Sequence, residues 1–63
     1  MKSSNKESTI IELHTRLDYI TEMEITMDNY LAQGNYGEAA ECMSKIITQA
    51  KLCEIDMRYL SGV

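Results

Sequence analysis

The chain has 63 residues, enough for one domain that buries only about 60% of the surface its unfolded form exposes. It has no proline, tryptophan or phenylalanine, so its core candidates are aliphatic residues, five methionines and four tyrosines. A net charge of -4 disfavours nucleic acid as a direct ligand, because phosphate binding needs a basic patch. The polar start and the lack of a long apolar run predict no signal peptide and no membrane span, and hence a cytoplasmic protein.

Met1 to about Lys6 is polar and is expected to fray. Two capping boxes compete to start the first helix, Ser4 with Glu7 and Thr9 with Glu12, and the predicted helix runs from about 8 to 33. Its apolar positions are Ile10, Leu13, Leu17, Ile20, Met27 and Leu31, spaced alternately by three and four as in a coiled-coil seam. The expected position 24 is Glu, which reads best as a solvated edge residue. The stripe can detour through Met23, and Tyr30 can replace Leu31.

The break falls at Gly34-Asn35-Tyr36, with a turn predicted at 34-35. Gly34 can take the left-handed conformation that ends helices. Asn35 is a favoured N-cap, and Glu38 three residues later can complete a capping box. So short a connection makes the two helices antiparallel neighbours.

The second helix is predicted from about 36 to 60. Tyr36, Ala39, Met43, Ile46, Ala50, Cys53, Met57 and Leu60 alternate by three and four without a miss. Glu41 with Lys45 and Glu54 with Arg58 are i,i+4 pairs, and Gly62 is a natural stop. Ala40, Ile47, Leu52, Ile55 and Tyr59 form a second apolar set that two helices cannot cover. The predicted fold is therefore all-α, a single-domain antiparallel helical hairpin over 1-63 that dimerises into a four-helix bundle.

Chemistry is sparse. Cys42 and Cys53 would lie about 16 Å apart along one helix, beyond disulfide reach, and read as small buried apolar residues. His14 is the only histidine, so one chain cannot build a four-ligand zinc site. No phosphate loop or catalytic triad is present. A His14-Cys53 pairing is geometrically possible across the hairpin, but nothing orients it. The expectation is no enzyme, no cofactor and no metal.

Between Leu17 and Ser44 there are six acids and no Lys or Arg. Such a surface can steer towards a basic partner, such as a DNA-binding regulator. Asp18, Glu22, Ile47, Ile55 and Tyr59 are the candidate partner-binding residues, with Gly34, Asn35 and Tyr36 forming the turn.

Gly34, Tyr36 and Ala39 resemble the turn of a tetratricopeptide repeat, although Met27 stands where that repeat has its first-helix Gly. Gly34, Tyr36, Ala39, Ala40 and Ala50, in a chain of this size, also resemble the AraC negative regulator family. Met43 stands where that family's pattern has an aromatic. The resemblance implies a small bacterial regulator that binds AraC-type activators of virulence genes and blocks their dimerisation or DNA binding. In size, hairpin and Gly-containing turn the chain is also similar to the helical-hairpin co-chaperones of type III secretion needle proteins. That similarity implies a secretion chaperone as the alternative function, with a structural phage or plasmid protein third.

Overall fold

A computed structural model describes residues 2-62, with side chains described for residues 5-62. Two helices, α1 (Lys2–Ala32) and α2 (Tyr36–Ser61), pack as an antiparallel hairpin 48 Å long and 14 by 13 Å across. The described residues contain no strand.

The turn forms as its residue types dictate. Gly34 has φ +75, and its N–H donates to the Leu31 carbonyl at 3.0 Å. The Asn35 N–H reaches back five residues to the Tyr30 carbonyl at 2.8 Å. This pair of bonds is a Schellman motif, which satisfies two carbonyls that the end of α1 would leave open. Asn35 then caps α2, its Oδ1 accepting from the Glu38 N–H at 3.4 Å. Only half of the predicted capping box forms, because the Asn35 N–H that Glu38 would have to receive is already given to Tyr30.

The start of α1 differs from expectation. The helix begins at Lys2 rather than near 8, so Glu7, Thr9 and Glu12 are interior to it and cap nothing. The Thr9 hydroxyl donates instead to the Asn5 carbonyl at 2.7 Å. The Ser4 side chain of the other predicted cap lies outside the described residues. At the far end α2 stops at Gly62, whose N–H donates to the Arg58 and Tyr59 carbonyls with φ -92, so its left-handed freedom is not used.

The seam also differs. The buried residues of α2 are Ala39, Cys42, Cys53 and Asp56, with Ile46, Gln49, Leu52 and Leu60 half-buried. The facing positions of α1 are Thr9, Leu13, Arg16, Ile20, Met23, Met27 and Tyr30. Met23 and Tyr30 thus take the seam where the stripe could detour, and Glu24 is exposed. On α2, however, the seam runs through Cys42, Gln49 and Asp56 instead of the expected Met43, Ala50 and Met57. Met43 and Met57 are 42% and 48% exposed. Arg16 occupies the α1 seam, and the two polar members of the α2 seam, Gln49 and Asp56, both face it.

Candidate interaction surfaces

Arg16 lies opposite Cys53 and reaches one turn in each direction along α2. Its Nη1 donates to Gln49 Oε1 at 3.0 Å, and its Nε stands 3.4 Å from Asp56 Oδ2. Within α1 its Nη2 pairs with Glu12 Oε2 at 3.1 Å. The Nε–Asp56 approach is an ion-pair distance without hydrogen-bond alignment, so both buried atoms lack a hydrogen-bond partner. The hydrogen bond and charge of Arg16 hold the Glu12 carboxyl below its ordinary value of 4.5. Glu12 in turn raises the Arg16 guanidinium above its own.

This cluster marks one flank of the hairpin. A shallow groove of about 370 Å³ is lined by Glu12, Thr15, Arg16, Tyr19 and Gln49. Another, of about 420 Å³, lies between the N-terminal part of α1 and the last turns of α2, beside Asn5, Ser8, Thr9, Ile55, Asp56 and Tyr59. The flank mixes hydroxyl, charged and tyrosyl groups.

The opposite flank is mostly apolar. At about 100° per residue, Ala40, Met43, Ile47, Ala50, Glu54 and Met57 follow one another up the same side of α2. All are exposed, Ile47 at 60%. Ile10, Leu17 and Leu31 of α1, with Glu24 between them, share this side and are also exposed.

The predicted partner-binding residues are all exposed, but the fold does not gather them into one patch. Asp18 and Glu22 lie one turn apart on the side of α1 that faces away from α2. Ile47 belongs to the apolar flank. Ile55 and Tyr59, 57% and 44% exposed, border the polar groove. The six acids between Leu17 and Ser44 are likewise not one strip; they surround the turn half of the rod. All six are exposed, and none forms an ion pair among the described residues.

Both cysteines are free and buried, at 6% and 3% exposure, while His14 is exposed on α1. No group of three or more His, Cys, Asp or Glu able to hold a metal occurs among the described residues, and no helix there is long and apolar enough to cross a membrane.

Arg16, Gln49 and Asp56 were not singled out from the sequence, yet a signal for them exists. The frame 9, 13, 16, 20, 23, 27, 30 alternates by four and three with no gap, whereas the more apolar frame through Leu17 breaks at Glu24. Comparison of the chain with protein-family models, with curated proteins and with solved structures finds no match.

Proposed function

We propose that the protein is a non-enzymatic regulator that acts by binding another protein, and that it works as a homodimer in a four-helix bundle. The partner we favour is a basic DNA-binding regulator of the AraC type, whose dimerisation or DNA binding the hairpin blocks. One observation carries this reading: six unpaired, exposed acids surround one half of a hairpin that also leaves Ile55 and Tyr59 uncovered. Exposed charge of one sign accelerates encounter with the opposite sign, and apolar contacts then set how long the complex lasts.

The test is binding kinetics against an AraC-type activator at two salt concentrations. Asp18→Lys with Glu22→Lys should slow association at low salt and reduce its salt dependence. Tyr59→Ala should instead speed dissociation. Circular dichroism checks that both variants stay helical. Association unchanged by the double reversal at low salt would reject the steering model, and no binding to any AraC-type activator would reject the partner class.

A further inference from the structure

The apolar flank of α2 has no cover within the hairpin. The seam buries Ala39, Cys42 and Cys53 as its apolar residues, and no large side chain is fully buried. The surface is 4698 Å², where a compact chain of 7.2 kDa exposes roughly 4,100 Å². Two inverted copies overlap over the 26 residues of α2, roughly 39 Å, and a face of that length and 14 Å width on two copies amounts to roughly 1,100 Å² in total, at the lower end of specific protein interfaces.

Charge decides how a second copy would lie. The turn half of the rod, residues 21-48, carries five acids against Lys45 alone, a net charge of -4. The remaining residues carry five acids and five basic residues, a net charge of zero. Two copies stacked with turns at the same end set acidic half on acidic half. Two copies stacked end for end set each acidic half on a half without net charge.

We infer that the Ala40, Met43, Ile47, Ala50 and Met57 flank binds a second copy of this chain, inverted end for end, about a twofold axis level with Thr48 and Gln49 of α2. The inference rests on the homodimer proposed above and specifies its face and direction. In this arrangement α2 lies antiparallel to α2 of the second copy. Ala40 then meets Met57 of the other chain, and Ile47 meets Ala50, so large residues fall against small ones. The same operation sets Ile10 against Leu31, and Leu17 against Glu24, between the two α1 helices. Met43 falls opposite Glu54, whose charge is already paired with Arg58 of its own chain at 2.9 Å.

The test is thiol cross-linking with a short bismaleimide of about 8 Å reach, alongside sedimentation of the wild-type protein. Ala40→Cys with Met57→Cys in one chain should give a covalent dimer in high yield. Either single variant should stay at the wild-type background set by the buried Cys42 and Cys53, because like positions are about 25 Å apart along the antiparallel helices. A wild-type dimer that the double variant fails to cross-link overturns this face and direction while leaving the homodimer standing. Efficient cross-linking of a single variant overturns the inversion. A wild-type monomer at every concentration overturns both the inference and the homodimer.

Discussion

Gly34 and Gly37 stand three residues apart, yet they should respond oppositely to a side chain. Gly34 has φ +75, and a Cβ added there meets no atom within 4 Å, so the cost of substitution is conformational alone. Gly34→Val should lose about 1–3 kcal/mol in urea denaturation, and an unchanged midpoint would show that the turn tolerates another geometry. Gly37 lies inside α2 with equal space around it. Gly37→Ala should therefore gain about 0.4–1 kcal/mol by removing freedom from the unfolded chain. Arg16 is the other decisive residue. Removing it leaves Asp56, 8% exposed, as a buried charge without its cation. Arg16→Ala should cost about 2–4 kcal/mol, nearer the lower figure because the Arg16 side chain keeps 23% exposure. Arg16→Met with Asp56→Leu should recover most of that loss, since an apolar pair needs no desolvation offset. A double-mutant cycle on the same denaturation data gives the coupling, and a double variant as unstable as Arg16→Ala would show that the pair is not the source of the loss.

At the scale of the helices, the two long elements and the turn between them are legible in the sequence because each follows from local rules. Gly34 supplies the left-handed residue, Asn35 the cap, and three-four spacing the seam. Which of two interleaved seams is used does not follow from hydrophobicity. Met43, Ala50 and Met57 are more apolar than Cys42, Gln49 and Asp56, yet the latter face α1. The polar contacts of the seam used link residues 33 and 40 positions apart, through Arg16, and no local rule registers them. The candidate partner residues fared unevenly for a related reason: exposure was foreseeable from charge and surplus apolar positions, but their scatter over three sides depends on the seam. The same ion pairs set the acid limit of the helices. Glu12 is held below 4.5 by Arg16 within α1, and Glu54 by Arg58 within α2, where Arg58 Nη2 lies 2.9 Å from Glu54 Oε2. A carboxyl whose folded value is depressed adds stability above its unfolded value and loses it as pH falls through the folded one. Thermal stability should therefore be flat above about pH 5 and decline below about 4.5. Glu12→Gln should shallow that decline, and an identical acid profile for this variant would remove Glu12 from the explanation.

At the scale of the molecule, the hairpin is a rod with a thin seam, a mostly apolar flank and its net negative charge in the turn half. A rod of this kind gains most from an event that covers the flank, and that gain depends on concentration because it requires a second molecule. Melting temperature should therefore rise with protein concentration from low to high micromolar, with helicity fixed at the plateau. Ile47, 60% exposed in the hairpin, is the residue whose change separates this from an effect on the hairpin itself. Ile47→Asp removes no contact within the seam, but it would place an unpaired charge at the centre of the covered flank. It should weaken self-association by at least about 2 kcal/mol, sediment as a monomer at concentrations where the wild type is dimeric, and melt at a temperature independent of concentration. Ile55→Asp is the matched control: Ile55 is 57% exposed but borders the polar groove on the other side of α2. It should leave both the sedimentation and the concentration dependence as in the wild type. If Ile55→Asp disrupts the dimer and Ile47→Asp does not, the polar flank is the self-association face. The Ala40-to-Met57 stripe would then be free for the regulatory partner.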